Sequence, residues 1–162
     1  MHNRNFPLRQ HAQTGFTIVE LMVAITVLAV LLGIGVPSFR LTIQGNRITT
    51  TANDMVAALQ FARSEAVRRG VNVTVCSSVD QATCSGTWAN GWIVRGPVAA
   101  DPPFRVWPAV RPDMALAAGG DVEFNPLGGV TNPRCFQFDL GTFRRSVTVG
   151  PGGRVSTTPN AC

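Results

Sequence analysis

Four cysteines, one carboxylate inside an apolar run and a C-terminal set of arginines are the residues whose types and spacing could carry chemistry. Cys76, Cys84, Cys135 and Cys162 could bind zinc or pair as disulfides. Zinc is disfavoured, because no C-x-x-C spacing occurs and the only histidines, His2 and His11, precede the apolar run. Disulfides suit an exported, oxidised segment. Four cysteines allow three connectivities. The pairing Cys76–Cys84 with Cys135–Cys162 is preferred, since each bridge then joins neighbouring elements. Glu20 lies within residues 16–36, which are otherwise almost continuously apolar. A carboxylate there must reach the headgroups or find a cation. A cut after Gly15 would create that cation, the α-amino group of Phe16, which could pair with Glu20 of a neighbouring copy. Arg144, Arg145 and Arg154 present the planar fork that suits phosphate. A bridge from Cys162 to Cys135 would bring the tail back and could gather the three into one phosphate-attracting patch. The competing reading is a solvated basic surface.

Composition narrows the chemistry further. The chain has 162 residues, 45% of them apolar, which suits one globular domain with an extra segment. All 14 basic residues are arginine, and tyrosine is absent. Once residues 1–15 are removed, no His, Lys or Tyr remains, so few groups titrate near neutrality. From Phe16 onward 12 arginines face nine acids, a side-chain balance of +3. No nucleophile elbow, phosphate-binding glycine loop, zinc-protease helix or calcium loop occurs. Asp121 and Glu123 would share one face of a strand, where solvation is their expected role. The sequence therefore reads as a non-enzyme that calls for no metal or cofactor. A membrane-anchored periplasmic enzyme would need a catalytic set that these residues do not supply.

The elements follow from periodicity. Residues 1–15 are polar and basic, with Arg4 and Arg9. Residues 16–36 would rise about 31 Å as a helix, the thickness of a bilayer core. Positive charge on the N-terminal flank alone keeps that flank cytoplasmic and exports the rest. Gly33, Gly35 and Pro37 offer no secretory cleavage pattern after the apolar run, so an uncleaved anchor is expected. Those residues weaken the helix, but the period resumes in Ile48, Ala52, Met55, Leu59, Ala62 and Ala66. The spacing predicts a helix over 16–69, transmembrane over 16–36 and amphipathic over 37–69, closed by Gly70. Arg63 and Glu65 are expected on a solvated face, with Glu65 reaching Arg68 and Arg69. Residues 70–162 alternate and are cut by Gly and Pro. Strands are expected at 71–76, 93–95, 104–110, 114–117, 122–124, 135–139, 147–149 and 154–156, with Pro108 marking an edge or a break. Trp88 and Trp92 flank a turn at Asn90-Gly91 and are expected in the core. The fold class is α+β, a long N-terminal helix packed on an antiparallel β head.

Gly15-Phe16-Thr17-Ile18-Val19-Glu20, ahead of an apolar helix, resembles the class III signal of type IV prepilins and pseudopilins. The resemblance implies that a membrane peptidase cuts after Gly15 and N-methylates Phe16. It implies that Glu20 guides docking into a filament, and Pro37 falls where members often carry a proline. The segment Ala58-Leu-Gln-Phe-Ala-Arg-Ser-Glu-Ala-Val67 is similar to the GspH/FimT branch of minor pilins and pseudopilins. So are Thr87-Trp-Ala-Asn-Gly-Trp92, Phe124-Asn-Pro-Leu-Gly128 and Gly153-Arg154-Val155. The implied function is a low-abundance minor pilin that helps prime assembly of a type IV pilus. Its partners would be other pilins, the prepilin peptidase and the inner-membrane assembly platform. The chain would sit in the inner membrane with a periplasmic head, then in the filament. The alternative is a minor pseudopilin of a type II secretion system. Some members of the branch bind DNA through a C-terminal Gly-Arg-x-Arg element. Here Ser156 takes the place of its second arginine, and Arg144 and Arg145 would have to supply the charge. Replacing Gly15 with Trp should block leader removal. The unprocessed chain would then persist in membranes at its full mass by mass spectrometry.

Overall fold

The computed structural model describes residues 15–162. The leader expected over residues 1–15 lies outside the described residues except for Gly15. Helix α1 spans Ile18–Arg69. It is followed by β1 (Val73–Ser77), a 3-10 turn (Trp88–Asn90), β2 (Trp92–Arg95), β3 (Arg105–Trp107) and β4 (Ala115–Ala118). The chain ends with β5 (Val122–Phe124), β6 (Arg134–Leu140), β7 (Phe143–Val149) and β8 (Val155–Thr158). Two compact units divide it, Met1–Arg40 and Leu41–Cys162.

In the first unit α1 starts behind Thr17, whose Oγ1 accepts a hydrogen bond from the Glu20 N–H at 3.2 Å. Thr17 is thus the N-cap, which satisfies one of the donors left free at a helix start. Each large apolar side chain from Ile18 to Ile34 is more than half exposed. The helix is long and apolar enough to cross a membrane. It continues through Pro37, even though proline supplies no N–H to the turn before it.

The second unit is built around the stripe read from periodicity. Ile48, Ala52, Met55, Leu59, Ala62 and Ala66 are each no more than 1% exposed. The helix closes at Gly70, which takes φ +65° and donates its N–H to the Ala66 carbonyl at 3.0 Å. Only glycine adopts that left-handed cap without strain. Two antiparallel four-stranded sheets follow, in the orders β3-β2-β1-β5 and β4-β6-β7-β8. In the first, Val75 lies opposite both Val94 and Val122. In the second, Phe136 faces Val147 and Leu140 faces Phe143. The inner faces of both sheets and the α1 stripe form one buried cluster. Trp88 and Trp92 join it, the Trp88 ring meeting Phe136 edge-on at 4.7 Å between centroids.

β1, β2, β4 and β6 shift by one or two residues at their ends, and three further departures have identifiable reasons. β3 covers Arg105–Trp107 within the expected 104–110. It lies at a sheet edge and stops before Pro108, which has no N–H to give a ladder. β7 begins at Phe143, four residues before the expected 147–149. Arg144, Arg145 and Ser146 interrupt the apolar alternation, yet they pair across to β6 in full register. β8 runs Val155–Thr158, displaced toward the C-terminus from 154–156 because its pairing with β7 extends to Thr158. Disulfides join Cys76 to Cys84 and Cys135 to Cys162, the connectivity preferred from the sequence. The first closes a loop behind β1, and the second ties the C-terminal residue to β6. Each is worth about 2–4 kcal/mol by restricting the unfolded chain.

The core lies wholly within Leu41–Cys162. Truncating its fully buried Met55 to Ala should cost about 2–5 kcal/mol, read as a lower urea midpoint for the head with an unchanged slope.

Candidate assembly site

Gly15, Phe16 and Glu20 lie at the start of α1. Phe16 is 81% exposed. Glu20 is the only charged residue between Gly15 and Arg40, and it stands on the first turn. Thr17-Ile18-Val19-Glu20 also has the spacing of a capping box. That signal was open to sequence reading, and it gives Glu20 a local role at N3 beside any role in assembly. The side chain of Pro37 is outside the described residues.

In the head, three separate segments named for their resemblance meet in one place. The turn Asn125–Gly129 and the turn Gly150–Gly153 dock on each other and on Arg63 of α1. A Cβ on Gly128 would come within 3.1 Å of Arg63 Nε and Val67 Cγ2. A Cβ on Gly153 would come within 3.1 Å of Arg63 Nε and would overlap the Gly128 carbonyl oxygen. Both glycines have positive φ, +79° and +72°. The glycines thus permit a backbone approach that any side chain would block.

Glu65 corrects the expectation of a solvated helical face. It is only 8% exposed. Its carboxylate accepts from Arg68 Nη2 at 2.7 Å and Nε at 3.2 Å, and from Arg69 Nε at 2.5 Å. Arg69 in turn lies over the Phe104 ring, 4.1 Å from its centroid. The local pairs expected at i+3 and i+4 are present, but they bracket a buried carboxylate and clamp the approach to β3. Arg63 is exposed, as expected.

Arg95 escaped sequence reading. Alternation along β2 places it opposite the core face, where solvent would be expected. The loop closed by Cys76–Cys84 and the loop after β2 cover it instead, leaving 6% exposure. Its guanidinium donates to the carbonyls of Ala82, Val98, Ala99 and Asp101, so it pins two loops to one strand.

The patch expected from Arg144, Arg145 and Arg154 does not form. Arg144 and Arg145 are consecutive in β7 and therefore point to opposite sides of the sheet. Arg144 is occupied by Asp139, Nε to Oδ1 at 2.5 Å. Arg154 precedes β8, whose first residue pairs with Val149 at the far end of β7. It is about 17 Å along the strands from Arg145, five residues at ~3.3 Å each. The bridge from Cys162 does hold the tail against β6, as the Cys162 N–H to Gln137 Oε1 contact at 3.2 Å shows. It brings the tail to the sheet without gathering the arginines. Asp121 and Glu123 are both exposed, and Glu123 accepts from Asn72 Nδ2 at 3.0 Å. Among the described residues no group of three His, Cys, Asp or Glu side chains could hold a metal.

Residues 51–153 match the family model described as type II transport protein GspH. The chain belongs to the GspH family. Residues 10–36 match the model of the prokaryotic N-terminal methylation motif. Among solved structures, the type IV minor pilin FimU of Pseudomonas aeruginosa superposes with a TM-score of 0.59 at 21% identity. That match covers 70% of this chain and 90% of FimU. The minor pseudopilin EpsH of the Vibrio cholerae type 2 secretion system superposes with a TM-score of 0.53 at 13% identity, over 70% of this chain and 97% of EpsH. At these identities the likeness establishes the type IV pilin-like fold. A comparison with curated protein sequences gave no match. The family and the superposed structures are pilins and pseudopilins, subunits that assemble with other pilins. The Ala58–Val67 segment, with Arg63 and Glu65, lies within the family match, as do the two glycine turns.

Hydrogen bonds from Arg68 and then Arg69 hold the Glu65 carboxyl below its ordinary range, against the opposing effect of burial. A lowered folded value means the contribution is full above the ordinary glutamate range and is lost as pH falls through the folded value. Glu65→Gln should cost about 1–3 kcal/mol near neutrality. Its urea midpoint should also fall less on acidification than that of the parent chain.

Proposed function

We propose that this chain is a minor pilin that enters a type IV pilus at low abundance and helps prime its assembly. The carrying observation is the first part of α1. Its apolar side chains are exposed, and its only charge before Arg40 is Glu20. Such a surface is stable only in lipid or against other apolar helices. The prepilin-type motif over residues 10–36 supports the same route. In this reading the chain is a single-pass inner-membrane protein with a periplasmic head. The peptidase cuts after Gly15 and methylates Phe16, and the assembly platform lifts the helix out of the bilayer. Glu20 then meets the Phe16 amine of a neighbouring subunit, an ion pair strengthened by the low dielectric of a helix bundle.

The better superposition on FimU supports a pilus. The family description, a type II transport protein, supports a second reading as a minor pseudopilin of a secretion system. Deleting the gene distinguishes them. Loss of surface pili with normal type II secretion is expected, and lost secretion with normal piliation would assign the pseudopilus. A receptor role for double-stranded DNA through Arg144, Arg145 and Arg154 has no common surface to rest on.

Glu20 tests the pairing directly. Glu20→Gln retains a side chain that suits the capping box but removes the charge. Both Glu20→Gln and Glu20→Ala should be processed normally yet fall by about tenfold in sheared filaments, the loss expected for an ion pair worth ~1.4 kcal/mol or more. Normal incorporation of Glu20→Gln would leave helix capping as the role of Glu20.

A further inference from the structure

We propose that Leu127 is the anchor by which this head docks onto a neighbouring filament subunit, in an apolar pocket with a carboxylate at its rim. The inference rests on the filament-subunit reading above and adds the surface and the chemistry of its partner. Leu127 is 90% exposed, more than any other large apolar residue described. It does not stand on a loose loop. Asn125 Oδ1 accepts the N–H of Leu127 at 3.0 Å and of Gly129 at 3.1 Å. The Asn125 N–H donates to the Gly129 carbonyl at 2.9 Å, and its carbonyl accepts from Gly128 at 2.8 Å. The Val130 N–H then bonds the Pro151 carbonyl at 2.8 Å, which ties this turn to the next. A leucine displayed on a turn held by these five bonds loses little entropy when it is buried, which is what a preorganised anchor requires.

Charge around the turn defines the partner. Val67, 54% exposed, lies against Gly128 and extends the apolar surface. Arg63 packs on Gly128 and Gly153, and Arg154 follows Gly153 directly. Neither guanidinium has a hydrogen bond or ion pair among the described residues. The nearby carboxylate on the helix, Glu65, is buried and already taken by Arg68 and Arg69. An apolar projection with the uncommitted Arg63 beside it, and Arg154 next in the chain to the contacting Gly153, is complementary to an apolar pocket edged by an acid. A nucleic-acid surface would instead reward a row of cations along the phosphates.

The test uses the full chain in its own host. Leu127→Asp changes an exposed side chain and should leave both disulfides and the head's melting temperature unchanged. Filament-associated protein should fall by about tenfold or more, as for loss of a single interface anchor. The double variant Arg63→Glu/Arg154→Glu should lose incorporation likewise, while Leu127→Met should retain it. A photo-crosslinking residue at Val67 should give an adduct with a second subunit that carries its own N-terminal methylation motif. Normal incorporation of Leu127→Asp, or no adduct in filaments that contain the chain, would overturn the docking surface and leave the filament reading standing. Absence of the parent chain from filaments would overturn both. Binding of double-stranded DNA at low salt that the double arginine variant loses and Leu127→Asp keeps, with incorporation normal in both, would give the surface to nucleic acid and overturn the proposal.

Discussion

The head depends on one contact surface, the apolar stripe of α1 from Ile48 to Ala66. Four of its buried positions, Ala52, Ala58, Ala62 and Ala66, are alanine. Small residues let β-sheets approach the helix axis closely, and Met55 and Leu59 fill the space between them. Phe124 from one sheet and Phe136 and Phe138 from the other then complete a single cluster. Neither sheet could bury its inner face without the helix. The glycine turns at Gly128 and Gly153 and the Glu65 clamp take their places from this packing.

The same helix has to satisfy two environments. Its first part carries apolar groups in every direction, as a segment in lipid or in a helical filament core must. Its later part is apolar on one stripe only, as a helix half-covered by its own sheets must be. Glu20 is the exception in the first part, and its position on the first turn keeps it close to the new N-terminus that processing would create. The two disulfides secure parts of the head that a small core holds weakly, the loop behind β1 and the C-terminal tail.

Charge in the head is mostly spent on structure. Arg95 pins two loops, Arg144 is held by Asp139, and Arg68 and Arg69 close over Glu65. A positive balance counted from the sequence therefore overstates what is free to meet a partner. The uncommitted Arg63 and Arg154, one packed on Gly128 and Gly153 and the other next after Gly153, come from segments 91 residues apart in the chain.

Local patterns were enough for the helix, its apolar stripe, its end at Gly70, most strands and the disulfide pairing. These rest on periodicity, on glycine and proline chemistry and on cysteine spacing, all of which act over a few residues or one loop. The prepilin-type motif around Gly15 and Phe16, Glu20 and the apolar run were legible for the same reason. Other features needed the folded chain. β7 looked short because Arg144 to Ser146 break the apolar alternation, and only pairing with β6 extends it. Glu65 looked solvated because burial of a helical carboxylate depends on what the sheets lay against it. Arg95 gave no signal because its cover comes from two loops that only the folded chain lays over it. The three arginines looked close because sequence separation hides the alternation of a strand and the length of a hairpin. What joins Arg63, Gly128 and Gly153 is contact between backbones far apart in the chain, a fact of packing that no local pattern encodes.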